Sequence, residues 1–146
     1  MYVVRPATRD DVAGILDVDA AVVGDRHDEA IIGPAIDADR VLIAEEEGTV
    51  LAYLRWEPFW DAIPLCVTVR VRPHLQRRGI GRALYGLAEE HFRAAGIRFW
   101  LSSTEETNKA SQLFHEALGF RRIGTLFDLS QEVGEIFLRK DLRLPK

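Results

Sequence analysis

Residues 65–96 read LCVTVRVRPHLQRRGIGRALYGLAEEHFRAAG, and this stretch decides the fold. Residues 65–71 place leucine and valines at alternate positions, which is the period of a β-strand with one buried face. Pro73 ends this strand, because proline has no N–H to donate to a neighbouring strand. Apolar residues then recur at helical spacing from Ala83 until Gly96. The stretch therefore predicts a strand, a glycine turn and a helix, in that order.

The turn at residues 76–81 (QRRGIG) is suited to an anion. A helix that begins directly after a strand leaves free backbone N–H groups in its first turn, and Gly79 and Gly81 let the backbone approach a bulky phosphate. Three guanidinium groups add positive charge: Arg77, Arg78 and Arg82. A dinucleotide-binding turn would need a third glycine at position 84, where this chain has Leu84, and the Gly-Lys-Ser/Thr triplet of a P-loop does not occur. Both of these nucleotide sites are therefore disfavoured. On spacing alone, a pyrophosphate site and a solvated, capped helix start are equally open.

The rest of the chain predicts a mixed α/β fold of about seven strands and four helices. Short alternating segments predict the strands, and apolar residues at helical spacing predict the helices. Gly33-Pro34 is expected to break the helical pattern of residues 25–36. The predicted strands are residues 2–5, 41–44, 50–56, 65–71, 98–102, 120–129 and 133–139. One domain over residues 1–146 is expected, because a chain of this length with 47% apolar residues can bury a core of its own.

Composition and charge narrow the functional classes. Residues 1–63 carry a net charge of −9 and residues 64–146 carry +5, so the basic residues concentrate near the turn. A net acidic chain with one short basic stretch and no reading helix argues against nucleic acid as the partner. The chain has no apolar run of about 18 residues, and its N-terminus lacks the layout of a signal peptide. We therefore expect a cytoplasmic protein without a membrane partner.

Two blocks of the sequence resemble one known family. The first, residues 71–84 (VRPHLQRRGIGRAL), looks like the acyl-CoA motif of the GNAT superfamily of N-acetyltransferases, written Arg/Gln-x-x-Gly-x-Gly/Ala after a valine-rich strand. The second, residues 108–120 (NKASQLFHEALGF), is similar to the family's other signature, an Asn and Ala ahead of a Phe-Tyr-Glu-Lys-x-Gly-Phe string. The order of the predicted elements also suits the family. The resemblance thus covers nearly the whole chain.

The resemblance implies a GNAT-like fold and an acetyl-CoA site. Backbone N–H groups of the turn would hold the cofactor's pyrophosphate, and the strand before it would pair with the pantetheine arm. Asn108 and Ser111 on the following short helix would complete the pocket. The implied cofactor-binding residues are Val69, Arg70, Val71, Gln76, Arg77, Arg78, Gly79, Ile80, Gly81, Arg82, Asn108 and Ser111.

The resemblance also suggests catalytic residues. His115 occupies the position of the tyrosine that the family often uses as general acid, and histidine donates a proton near neutral pH. Glu57 and Asp61 follow the strand at residues 50–56, where such folds open to substrate, and are candidate general bases. Two alternatives stay open. His115 is then a packing or surface residue, and both acids are exposed loop residues that take no part in catalysis. Cys66 is expected to be a buried structural thiol, and no histidine pair has metal-ligand spacing, so no metal is expected.

These observations favour an acetyl-CoA-dependent N-acetyltransferase that moves acetyl directly from the thioester to a primary amine of a small molecule or peptide. The competing reading is a non-catalytic acyl-CoA-binding or sensing module of the same fold. The acidic first half of the chain favours a cationic acceptor. The strands near the C-terminus are candidates for pairing in a homodimer.

Overall fold

The computed structural model of the chain describes residues 1–24, 29–129 and 132–143. Within these ranges the chain forms seven strands and four helices, as the sequence predicts. Their order is β1 (Val3–Pro6), α1 (Val12–Val23), α2 (Glu29–Asp37), β2 (Val41–Glu46), β3 (Thr49–Phe59), β4 (Ile63–Val71), α3 (Ile80–Ala94), β5 (Phe99–Glu105), α4 (Lys109–Ala117), β6 (Arg121–Leu126) and β7 (Glu135–Asp141).

The strands form one mixed sheet in the order β1-β2-β3-β4-β5-β7-β6. The pair β4–β5 is parallel, and its register joins Leu65 to Leu101 and Cys66 to Ser102. The pairs β1–β2, β2–β3, β5–β7 and β6–β7 are antiparallel. The connection from β4 to β5 runs through α3, since parallel neighbours need a crossover of this kind. The position of β7 between β5 and β6 was not evident from the sequence, because strand order depends on contacts between distant segments.

Two compact units divide the chain: Met1–Trp56 with Thr68–His91, and Glu57–Val67 with Phe92–Lys146. In the first unit, α1 and α2 contribute Ile15, Leu16 and Ile32 to a cluster that also holds Ile43 and Tyr53 of the sheet. All five side chains are 0–1% exposed, and burying each aliphatic one contributes about 1.5–3 kcal/mol.

The chain enters α1 through a short 3-10 turn that Thr8 and Asp11 cap reciprocally. The Thr8 N–H donates to Asp11 Oδ2 at 2.7 Å, and a threonine followed three residues later by an acid is a variant of the capping-box pattern that can be read in the sequence. Arg5 donates through both Nη atoms to the two oxygens of Asp11, each at 2.9 Å. This ion pair joins β1 to the start of α1.

The expected break at Gly33-Pro34 is wrong, because α2 continues through both residues to Asp37. Residues 25–28 of the segment in question lie outside the described residues. A Cβ at Gly33 would collide with the guanidinium of Arg9, so glycine permits a close approach there. The Ala38 N–H donates to the Pro34 carbonyl at 3.1 Å, so the helix recovers its bonding after the proline.

In the second unit, Trp100 of β5 is fully buried between two aromatic rings. Its ring centroid lies 5.1 Å from that of Phe92 and 5.5 Å from that of Phe120, both in tilted arrangements. Such pairs add about 0.5–1.5 kcal/mol beyond the area that they bury. Cys66 is also buried here, at 4% exposure, as expected of a structural thiol.

Helix α4 presents a different face to the core from the one that its apolar residues indicate. Periodicity assigns Leu113 to the apolar side and His115 to the side facing water or ligand. Instead Leu113 is 66% exposed and His115 only 2% exposed. Hydrogen bonds to Ser102 and Ser111 satisfy the imidazole, which offsets the cost of burying it.

No helix among the described residues is both long enough and apolar enough to span a bilayer.

Candidate active site

The turn between β4 and α3 is held from within by two buried side chains. Leu75, at the end of a 3-10 turn that begins at Pro73, is 7% exposed, and Ile80, the first residue of α3, is 2% exposed. The residues between these anchors are all exposed: Gln76, Arg77, Arg78 and Gly79. The anchors therefore fix both ends of a segment whose polar groups face outward.

The backbone of this turn adopts a conformation that glycine favours. Gly79 has φ +82°, and Arg77 also lies in the left-handed region at φ +66°. A Cβ built on Gly79 would have only Tyr2 Oη within 4 Å, at 3.9 Å, so backbone conformation rather than space requires the glycine. The Ala83 N–H donates to the Gly79 carbonyl at 3.0 Å, which begins the helical bonding. The N–H groups just before Ala83 thus form the positive end of α3.

Charge adds to this backbone arrangement. Three exposed guanidinium groups surround the turn, those of Arg77, Arg78 and Arg82. The charge of Arg78 also contributes to lowering the pKa of Glu46, after the larger effect of the N-terminal ammonium. A helix N-terminus with three exposed cations suits a diphosphate in both charge and backbone access.

Arg70 faces a buried acid. Asp19 of α1 is 0% exposed, and its Oδ1 accepts from Arg70 Nη1 at 2.6 Å and from Tyr53 Oη at 2.5 Å. Arg70 Nη1 lies 3.3 Å from Tyr53 Oη as well. Asp19 Oδ2 has no hydrogen-bond partner among the described residues. The side chain of Arg70 thus takes part in an internal ion pair, while its main chain stays with Val69 and Val71 in β4.

Sequence reasoning missed Asp19 and Tyr53. Asp19 falls on the apolar stripe of α1, four residues after Ile15 and three after Leu16. An acid at a core position of an amphipathic helix signals a buried partner, since an isolated buried carboxylate is costly. The partner could not be read from the pattern, because Arg70 lies 51 residues along the chain.

His115 lies in the second unit with both ring nitrogens engaged. Its Nε2 is 2.7 Å from Ser102 Oγ, and its Nδ1 is 2.8 Å from the Ser111 carbonyl oxygen. A carbonyl only accepts, so Nδ1 carries the hydrogen and Nε2 of the neutral ring accepts from Ser102. Burial lowers the pKa of His115 below its ordinary value, and the bond to Ser111 offsets part of this effect. The neutral ring is therefore favoured.

Asn108 and Ser111 lie at the start of the same helix. Asn108 is the N-cap of α4, and its Oδ1 accepts from the Ser111 N–H at 3.0 Å. Ser111 Oγ lies 3.4 Å from His115 Nδ1. The structure therefore brings three of the predicted site residues together on one helix.

Glu57 and Asp61 lie on a tight hairpin rather than on a loop. The sequence predicts a loop near residues 58–63, but β3 continues to Phe59 and β4 begins at Ile63. Asp61 and the residue before it have φ of +60° and +51°, as in a two-residue hairpin turn. Asp61 is exposed, and Glu57 is half-buried within β3.

Comparison with known proteins decides the family. The family model described as the acetyltransferase (GNAT) family matches residues 15–120, which include both motif blocks and the turn. The chain belongs to the GNAT family. The resemblance in its sequence is thereby confirmed, and acyl transfer is the activity of the family to which it belongs.

Individual relatives agree with this assignment. The GNAT chain is 34% identical over 85 residues to the L-amino acid N-acyltransferase MnaT of Escherichia coli K12, a match that covers 55% of this chain and 49% of MnaT. The chain thus spans about half the length of that curated relative. A GNAT acetyltransferase structure from Bacillus cereus superposes with a TM-score of 0.85 at 26% identity, covering 98% of this chain and 99% of that one.

A second solved structure shares the fold alone. The ribosomal-protein-S18-alanine N-acetyltransferase of Escherichia coli has a TM-score of 0.84 but only 16% identity, over 100% of this chain and 97% of that one. The predicted mixed sheet of a GNAT fold is confirmed by these structural matches. GNAT enzymes generally use acetyl-CoA. The helix N-terminus and the exposed arginines of the turn are chemically suited to a diphosphate such as the one in that cofactor.

Replacing Asp19 with alanine should lower the free energy of unfolding by about 3–5 kcal/mol, because it leaves the Arg70 charge without its buried partner. Asp17→Ala is the matched control, since Asp17 lies on the same helix but is exposed, and its removal should cost less than about 0.5 kcal/mol. Urea unfolding of both variants measures the difference. Equal stabilities would show that the ion pair contributes nothing.

Stability should also depend on the protonation of His115. The unfolded chain binds this proton more readily than the folded one, so the free energy of unfolding should fall as pH drops below about 6.5. For one proton, the free energy of unfolding cannot change by more than about 1.4 kcal/mol per pH unit. His115→Gln should flatten the decrease between about pH 7.5 and 5.5, a range above the ordinary carboxylate pKa values. Unfolding curves with an unchanged pH dependence in this variant would contradict the assignment.

Proposed function

We propose that this enzyme binds acetyl-CoA at the turn between β4 and α3 and transfers the acetyl group directly to a primary amine of a small molecule or peptide. One observation carries the proposal. The turn combines left-handed backbone at Arg77 and Gly79, the N-terminus of α3 and three exposed arginines. This combination suits a diphosphate, and the family match supplies the identity of the ligand.

Each part of the cofactor has proposed partners. Backbone N–H groups of residues 76–82 would hold the pyrophosphate, with the guanidinium groups of the turn as flexible counter-charges. The pantetheine arm would lie along the main chain of Val69, Arg70 and Val71. In support, the register between β4 and β5 covers residues 65 and 66 of β4, whereas β4 itself continues to Val71. The proposed arm would lie along the part of β4 beyond that register. Asn108 and Ser111 are proposed to line the pocket from α4.

The thioester supplies the acyl group, and the chain must manage two protons. The amine nitrogen forms a bond to the acyl carbon as the carbon–sulfur bond breaks, so the amine loses a proton and the thiolate gains one. Deprotonating an alkyl amine with a pKa near 10 costs about 4 kcal/mol at neutral pH. We assign this step to Glu57 or Asp61, directly or through a water.

We assign the proton for the thiolate to His115, acting from Nε2 through the Ser102 hydroxyl 2.7 Å away. This role requires the imidazolium form, which burial disfavours. Turnover that depends on His115 should therefore rise as the pH is lowered toward the reduced pKa of the ring, so long as the amine can still be deprotonated.

A second candidate function has its own support. The buried, neutral His115 is a poor proton donor, as expected if the protein binds or senses acyl-CoA without turnover. Release of free coenzyme A thiol during incubation with amines separates the two functions. Binding without release, across several amine classes, would favour the sensing module.

The acceptor class is proposed from the sequence relative and the charge of the chain. The name of MnaT is L-amino acid N-acyltransferase, so the α-amine of a free amino acid is the first acceptor to test. The net −9 of residues 1–63 would also attract cationic amines such as polyamines. A screen of amino acids, peptides, aminosugars and polyamines would rank these classes.

Gly79→Ala should weaken acetyl-CoA binding about tenfold, because a non-glycine residue pays about 1–2 kcal/mol in the left-handed region. Gly48→Ala is the matched control, since Gly48 has φ +81° in another turn and open space around it. It carries the same backbone strain but should leave the affinity unchanged. Isothermal calorimetry measures both. No binding by the wild-type protein at about 1 mM acetyl-CoA would refute the proposal.

The catalytic assignments predict separate kinetic effects. His115→Ala, Glu57→Gln and Asp61→Asn should each lower kcat by more than about tenfold if the residue transfers a proton, with the Kd for acetyl-CoA nearly unchanged. The pH profile of kcat/KM then distinguishes the acid from the base. Melting temperatures control for stability, since His115 is buried. A variant with wild-type kcat removes its residue from the mechanism.

A further inference from the structure

The first unit contains a cavity of about 360 Å³ between α3 and the part of the sheet formed by β1, β2 and β3. Small-molecule sites have volumes of about 300–1,000 Å³, so the cavity is large enough for a ligand. None of the residues that line it is assigned to the cofactor turn or to a proton transfer. We call it the α3 cavity, and its lining includes Asp39, Leu42, Trp56, Ala88, Glu90 and His91.

The inner surface of the α3 cavity is apolar. Leu42 and Ala88 are buried there, at 7% and 1% exposure, and Leu87 beside them is half-buried. The ring of Trp56 extends this surface. Aliphatic and aromatic groups of this kind suit the hydrocarbon part of a ligand, because its burial removes apolar area from water.

The ring of Trp56 also attracts positive charge. The guanidinium carbon of Arg40 lies 5.7 Å from the centroid of this ring, which is within the range of a cation–π contact. The His91 ring lies on the other side of the chain crossing, with its centroid 6.4 Å from that of Trp56 and the two planes inclined by 44°. An aromatic wall of this kind is typical of sites for organic cations.

Two carboxylates give the α3 cavity a negative charge. Asp39 and Glu90 both line it and are exposed. The nearby acid Asp37 is paired with Arg9, whereas neither Asp39 nor Glu90 has an ion-pair partner among the described residues. Arg40 offsets part of this charge, but two acids against one guanidinium leave an excess of negative charge. The charge therefore suits a cationic ligand and opposes an anionic one.

The acid at position 39 is opposed by its local structure. The Asp39 N–H donates to the Ile36 carbonyl at 2.9 Å, and the Arg40 N–H donates to the Ala35 carbonyl at 3.0 Å, which is the Schellman pattern at the end of α2. Glycine is usual at this position, yet Asp39 adopts it with φ +59°. A carboxylate at the negative end of a helix is also unfavourable. Residues that depart from local preference in this way are expected at functional positions.

We propose that the α3 cavity binds a small arylalkyl ammonium ion. The hydrocarbon part of the ligand lies against Leu42, Leu87 and Ala88, and its ammonium group faces Asp39 and Glu90 beside Trp56. The proposal does not depend on acetyl transfer. Leu87 is seven residues from the start of α3, so the α3 cavity begins about 10 Å along the helix from the cofactor turn.

Titration of ¹⁵N-labelled protein with 2-phenylethylammonium, in the absence of coenzyme, tests the site by NMR. The Kd should be about 1 mM or lower, which is reasonable for a ligand of this size. The signals that shift should include the Trp56 indole N–H, assigned with Trp56→Phe, and the amides of residues 87–91. No binding at about 10 mM overturns the proposal, and so do shifts confined to the cofactor turn.

Two probes with the same hydrocarbon part test the role of charge. Neutral 2-phenylethanol should bind at least about fivefold more weakly than the ammonium ion, because it lacks the attraction to the two carboxylates and to the ring. Anionic 3-phenylpropanoate should not shift these signals at all. Equal affinities for the ammonium ion and the alcohol overturn the assignment of the site to a cation.

Removal of the two carboxylates should weaken binding of 2-phenylethylammonium. Asp39→Asn/Glu90→Gln keeps the side-chain shapes, and asparagine tolerates left-handed backbone, so the loss of about tenfold in affinity reports charge. Glu47→Gln/Asp128→Asn is the matched control. It removes two exposed acids that have φ of +51° and +58° and do not line the α3 cavity, and it should leave the affinity unchanged. Wild-type affinity in the first variant overturns the proposal.

Asp39→Gly separates ligand binding from stability. Glycine suits the Schellman position and removes a carboxylate from the negative end of α2, so the melting temperature should rise by about 2–5 °C. The affinity for 2-phenylethylammonium should fall about threefold or more in the same variant, because one of the two facing charges is lost. A more stable variant with wild-type affinity contradicts the role of Asp39 in the site.

Discussion

The path of the main chain between β4 and α3 is the constraint on which the rest of the molecule depends. The strand must stop, reverse its local twist through left-handed residues and start a helix, with Leu75 and Ile80 as its only buried supports in the turn. The residues between these two supports are exposed, and the first N–H groups of α3 have no partner within the helix. This geometry and the arginines that surround the turn support the anion binding that we propose there.

The structure contains two buried polar clusters among the described residues. Packing of the apolar core alone would not require polar residues at these positions. In the first unit an ion pair between Asp19 and Arg70, with Tyr53, fixes α1 against β3 and β4. In the second unit, Ser102 and Ser111 hold His115 in one tautomer. Buried polar groups cost little when every partner is present and much when one is removed. These clusters therefore fix the position and orientation of the helices that carry them, in addition to stabilising the fold.

The position of His115 shows why a family motif has to be read together with burial. The motif places a proton donor at this position, but the chain provides an imidazole whose pKa burial lowers and whose Nδ1 hydrogen bonds to a main-chain carbonyl. A phenol and an imidazole in the same place differ in their protonation near neutral pH. The match to the motif therefore leaves the proton chemistry of this residue to be decided by its surroundings.

The sequence by itself determined what rests on neighbouring residues: the strand–turn–helix at residues 65–96, the capping box at Thr8, the mixed α/β class and the family. Each depends on local periodicity, on backbone preference or on a short motif, and all of these can be read in order. Only the tertiary structure decided that β7 lies between β5 and β6, that α2 continues through Pro34, that α4 turns His115 inward, and that Asp19 meets Arg70. Those outcomes depend on partners far apart in the chain, whose contact energies outweigh the local preference of any one segment.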